Sequence, residues 1–151
     1  MIKSTPFWPT LAASILVLAS LHLSSCAQSK PEAEPTVQAP LTAADEQRIA
    51  PVRALLAALE AKDAVAIRNA FTDNATQAYR AESWKTPDRF KRWLESDIIS
   101  RNGFVANPVF SFEGDNGIVV KGQYTSTGYQ SPANFLFTVE NGKVASWRMR
   151  Y

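Results

Sequence analysis

Cysteine and histidine are almost missing from this chain: 151 residues hold one of each, Cys26 and His22. A disulfide framework is therefore excluded, and so is a zinc site built from Cys and His. No histidine follows His22, so the rest of the chain cannot form the Cys–His or Ser–His pair of a nucleophilic enzyme. Charge of one sign is scarce too. Sixteen Lys and Arg against 14 Asp and Glu leave +2, too little for the basic footprint of a nucleic-acid-binding protein. Nothing in these residues calls for a metal or a cofactor. What is present, 46% hydrophobic and 20% charged residues, is ordinary globular usage for one domain.

The N-terminus reads as an address. Met1-Ile2-Lys3 is a short cationic start, and Leu11–Leu23, LAASILVLASLHL, is an apolar run. That run is a secretory signal in layout and falls short of the ~20 residues that span a bilayer. It ends in Leu23-Ser24-Ser25-Cys26, which resembles the lipobox of bacterial lipoproteins. The resemblance implies a signal peptide over residues 1–25, a diacylglycerol thioether on Cys26, cleavage before it, and acylation (palmitate or a similar chain) of the freed amine. The mature protein would then be held on the bilayer through acylated Cys26. Ala27 in place of Asp implies the periplasmic side of the outer membrane, where the host has one. Residues 26–41 continue as a tether: Pro31, Pro35 and Pro40 among small and polar residues show no apolar period. The folded body is residues 42–151.

Within the body, helices come first. Thr42 before Ala43-Ala44-Asp45-Glu46 is a hydroxyl cap with acids in the first turn. Ile49, Val52, Leu55, Leu56 and Leu59 follow at helical steps, with Pro51 expected to kink or restart the helix. Asp63 caps a second, shorter helix with Ile67, Ala70 and Phe71 on its stripe, ended by Thr72-Asp73-Asn74. A short strand is expected around Gln77–Glu82. Pro87, after Thr86, starts a third helix, whose stripe holds Phe90, Trp93, Leu94, Ile98 and, seven steps from Phe90, Asp97. From Gly103 the period becomes two. Val105–Glu113, Ile118–Thr125, Ala133–Glu140 and Lys143–Tyr151 read as four antiparallel strands, the last two joined by a two-residue turn at Asn141-Gly142. That turn pairs Val139 with Val144, Phe137 with Ser146 and Phe135 with Arg148 on one face. On the other it sets Leu136 against Trp147 and Thr138 against Ala145. Both faces then look apolar, which calls for a covering partner such as a second copy or another envelope protein.

The order of elements, with the segment Ala57–Ala75 and the ending NGKVASWRMRY, resembles the nuclear transport factor two-like superfamily. The resemblance implies an α+β fold: three N-terminal helices packed on a curved antiparallel sheet as a cone with a pocket. The superfamily contains ketosteroid isomerases and polyketide cyclases as well as non-catalytic domains, so the fold alone fixes no reaction. If the domain is an enzyme, it is expected to work without a cofactor. Its base is then a carboxylate with a raised pKa in an apolar pocket. Asp97 is the candidate base, Tyr79 and Tyr124 the candidate donors. The competing expectation is that Asp97 pairs with Arg148, Arg101 or Arg92. Arg148, Trp93, Phe135 and Phe137 are the candidate ligand-binding residues. A binding or scaffold module, holding a small apolar ligand or a partner, as a homodimer or against an envelope protein, is the favoured expectation. A cofactor-free isomerase, dehydratase or cyclase is the alternative.

Overall fold

The computed structural model describes residues 40–150, Glu82 excepted. The expected signal peptide, Cys26, the expected tether up to residue 39 and Tyr151 lie outside the described residues.

Helix α1 (Ala43–Glu60) starts as its cap dictates. Asp45 N–H donates to Thr42 Oγ1 at 3.1 Å while Thr42 N–H donates to Asp45 Oδ2 at 2.9 Å, a reciprocal capping box. The five apolar residues of its stripe are all buried. The helix runs unbroken through Pro51, contrary to the expected restart. Proline removes one N–H, and the remaining ladder with a buried stripe outweighs that loss here. Asp63 Oδ1 accepts from Val65 and Ala66 N–H and caps α2 (Ala64–Asn69).

Strand β1 (Phe71–Tyr79) begins well before the expected Gln77, directly after α2, so Thr72-Asp73-Asn74 lies within a strand rather than ending a helix. β2 (Ser83–Trp84) pairs briefly with the end of β1. Helix α3 (Pro87–Trp93) passes into a π-helical turn, Leu94–Ile99, and the expected stripe of Phe90, Trp93, Leu94 and Ile98 is buried. β3 (Phe104–Glu113), β4 (Gly117–Ser126), β5 (Tyr129–Glu140) and β6 (Lys143–Met149) follow. β5 starts earlier than expected because Thr127-Gly128 is itself a two-residue hairpin turn, with Gly128 at φ +74°. The six strands form one sheet in the order β2-β1-β6-β5-β4-β3, antiparallel except for the β1–β6 pair. This is the expected α+β class, with three helices on a curved, mostly antiparallel sheet.

One register differs from expectation, with consequences for the site. The Asn141-Gly142 turn does pair Val139 with Val144, but Ala145 is an extra residue, and beyond it Thr138 pairs with Ser146 and Phe137 with Trp147. A one-residue bulge moves every following side chain to the opposite face. Phe135, Phe137, Trp147 and Met149 therefore share the buried inner face. Leu136, Thr138, Ser146 and Arg148 share the outer one, which is mixed rather than apolar. The dimer expectation accordingly loses part of its basis.

Arg68 of α2 holds the π turn from the side, donating Nε and Nη2 to Glu95 at 2.6 and 2.8 Å. This bond keeps the Glu95 carboxyl below its ordinary value of 4.5. A depressed carboxylate contributes stability that is full above the ordinary value and is lost as pH falls through the folded one. Glu95→Gln should therefore flatten the acid side of a melting-temperature-versus-pH curve. It should change the neutral value by a few degrees at most, because the pair is half exposed.

Candidate functional site

A cavity of about 320 Å³ opens between the inner face of the sheet and the α3–π segment. Five of the seven expected site residues line it: Tyr79, Trp93, Asp97, Tyr124 and Phe135. Each arrives there for a local reason. Tyr79 is the last residue of β1. Trp93 ends the regular part of α3, and the π turn that follows presents Asp97 half-buried on the same wall. Tyr124 and Phe135 face inward from β4 and β5, their rings 5.9 Å apart and edge to face. Gly103 passes so close to Tyr124 that any side chain there would meet its hydroxyl. Glycine thus makes room for the ring.

The polar groups of the cavity are ordered. Trp93 Nε1–H donates to Tyr79 Oη at 2.7 Å. Burial, with the negative charge of Asp97 adding, holds the Tyr79 phenol above its ordinary value, although the Trp93 bond works the other way. The phenol is therefore protonated at neutral pH, with one lone pair already taken and its own hydrogen still to give. Asp97 Oδ2 accepts from Ser96 Oγ at 2.5 Å. The ion pairs among the described residues are Arg53–Glu46, Arg68–Glu95 and Arg150–Glu113, so the expected pairing of Asp97 with an arginine is not made. Arg101 nevertheless lines the same cavity and supplies its cation. Lys85 lies across the Tyr79 ring, its Nζ 4.3 Å from the ring centroid. Burial first, then the nearby Arg89 charge, pushes its ammonium pKa down.

Two expected residues are elsewhere. Phe137 is completely buried beneath the cavity, against Trp147, and acts as core. Arg148 is on the outer face because of the Ala145 bulge, its guanidinium 5.0 Å from the Trp84 ring centroid. It cannot serve the cavity as an anion anchor. Sequence reasoning missed Tyr129 and Ser131, which line the opposite wall from β5. The Gly128 turn was the signal that would have extended that strand back to include them.

Comparison with known proteins agrees with the geometry. A family model described as a SnoaL-like domain matches residues 52–147. Among solved structures, an NTF2-like protein of unknown function from Cytophaga hutchinsonii superposes with a TM-score of 0.54. It is 17% identical and covers 74% of this chain and 91% of that one. A putative polyketide cyclase from Xanthomonas campestris gives 0.57 at 14% identity, covering 70% and 90%. A putative ketosteroid isomerase from Kribbella flavida gives 0.56 at 12% identity, covering 70% and 77%. At such identities these likenesses establish the fold. No curated protein matches the chain.

Proposed function

The chain belongs to the SnoaL-like domain family, and we propose that its domain is a binding module for a small apolar molecule bearing a hydrogen-bonding oxygen. In this reading acylated Cys26 tethers it in the cell envelope, on the periplasmic side of the outer membrane where there is one. The observation that carries the reading is the Trp93–Tyr79 bond. A hydroxyl fixed by a buried indole, in an aromatic cavity at the lower end of the usual volume for small-molecule sites, is an oriented donor for a ligand oxygen. Native mass spectrometry of the mature protein taken from its own membranes tests both halves at once, through acyl mass and a co-purifying ligand. With 2-naphthol as probe, Tyr79→Phe should weaken binding by up to about tenfold, the worth of one hydrogen bond to a ligand. Unchanged affinity would remove the assigned role of Tyr79.

A second reading, a cofactor-free isomerase, dehydratase or cyclase, is favoured by a different observation. Asp97 lines the cavity without an ion-pair partner among the described residues, and no histidine follows His22 to act as base in its place. Tyr79 and Tyr124 would then hydrogen-bond a developing enolate. Here Asp97→Asn should lower turnover of an enolisable ketone by about 10²–10⁴ while binding persists. Absence of turnover in the unaltered protein, with binding intact, leaves the binding module.

A further inference from the structure

Beneath the cavity the core holds two hydrogen-bond donors that the chain itself leaves unsatisfied. Gln77 and Trp147 are both completely buried, and neither Gln77 Nε2 nor Trp147 Nε1 has a partner. They are in register on the adjacent strands β1 and β6. They do not satisfy each other. Both are N–H donors, and the indole makes no bond to the Gln77 carbonyl oxygen, which accepts from the Lys85 ammonium. Turning the amide over would set its NH₂ against that ammonium, donor against donor. Lys85 thus fixes which end of Gln77 is left over, and it is the donating end. A buried donor without an acceptor is costly, and these two stand side by side, whereas the other such atom among the described residues, Arg148 Nε, lies on the outer face.

The next inward-facing residues along the same two strands are Tyr79 and Met149, and both line the cavity. Two residues of strand measure about 7 Å, so the donors lie one row of side chains deeper. Trp147 also touches two cavity residues directly, its ring centroid 5.3 Å from that of Trp93 and 5.4 Å from that of Phe135. We propose that Gln77 Nε2 and Trp147 Nε1 form the acceptor-binding end of the cavity, receiving the carbonyl or carboxylate oxygen of a ligand whose flat apolar body fills the aromatic part. This rests on the cavity being a ligand site and adds the ligand's class: an aromatic or alicyclic ketone or acid, bound oxygen first. Met149, a cavity residue with a flexible thioether, is the next inward side chain along β6 from Trp147.

The test uses the chain from residue 26 carrying Cys26→Ser, ¹⁵N-labelled, so that the Trp84, Trp93 and Trp147 indoles report separately. Three probes of one shape are titrated: 2-naphthoate, 2-acetylnaphthalene and 2-ethylnaphthalene. The two with an acceptor oxygen should bind at least about tenfold more tightly than the hydrocarbon, the worth of a buried hydrogen bond, and should move the Trp147 N–H signal downfield. The preference between naphthoate and ketone separates an acid from a neutral ligand. Gln77→Met should weaken both by several-fold, leaving only the Trp147 donor's share of the preference, while the affinity for 2-ethylnaphthalene stays the same. If that variant does not fold, the probe series on unaltered Gln77 decides. Equal affinity for all three probes, or a stationary Trp147 signal while that of Trp93 moves, overturns the acceptor site and leaves the cavity reading standing. A long-lived water on the Trp147 N–H that persists when the ketone is bound overturns it likewise. Failure of every probe to bind overturns both.

Discussion

Replacing Trp147 with alanine is expected to lower the melting temperature of the domain by about 12–20 °C. Trp147 is wholly buried and its indole is ringed by aromatics from three other elements. Ring centroids of Trp93, Phe135 and Phe137 lie 5.3, 5.4 and 5.3 Å away, and Phe71 stacks at 6.4 Å. The indole thereby joins β6 to β1, β5 and α3. Its removal leaves a cavity that these rings cannot collapse to fill, since each is itself held by the others. A Trp-to-Ala change in such a core costs about 3–5 kcal/mol, a large part of the roughly 5–15 kcal/mol that holds a domain together. For a body of this size each kcal/mol corresponds to about 4 °C. Thermal unfolding followed by circular dichroism measures the effect. A fall of less than about 5 °C would mean that the aromatic cluster is not the centre of stability.

Cys26→Ser is expected to move the protein almost entirely from the membrane fraction to the soluble one. A single acyl chain gives marginal, reversible membrane binding, and two or more give stable anchoring at about 0.8 kcal/mol per buried CH₂. Without the thiol there is no thioether. The serine form is produced behind an ordinary cleavable secretory signal in place of residues 1–25, so that an uncleaved Leu11–Leu23 run cannot itself hold it in the membrane. Fractionation of cells producing both forms, followed by a carbonate wash, reads the outcome. A serine form that still resists the wash would sink the lipoprotein reading and the proposed location with it. The cavity reading would be untouched.

Much of the fold could be read from local signals, because those signals act through a few neighbouring atoms. Thr42 and Asp63 cap helices where a short oxygen-bearing side chain stands before an apolar stripe. Asn141-Gly142 turns a hairpin because both residues accept a positive φ, +50° and +74° here. The stripe that carries Phe90, Trp93, Leu94 and Ile98 placed Asp97 correctly on the cavity wall. What escaped is register. Ala145 bulges only because Trp147 and Met149 gain a buried face by it, and that gain depends on strands far away in sequence. Arg148 was therefore assigned to the wrong side of the sheet. Strand β1 escaped in the same way. Between Phe71 and Thr76 its ladder with β6 slips, five steps on one strand spanning two on the other, so no alternation survives for the sequence to show. The unsatisfied pair Gln77 and Trp147 was invisible for the same reason, since only the β1–β6 register brings them side by side.

The position of β6 bears on how the molecule is made. It is the last strand in the chain, yet it lies inside the sheet, between β5 and β1. Helix α1 lays Arg48 and Arg53 on Phe112 and Phe110 of β3, but strand β1 has no ladder into the main sheet except the parallel one with β6. Contacts of such long sequence separation form late. The β1–β2 edge is therefore the last part of the sheet to be joined, and it closes only when β6 has paired with β5.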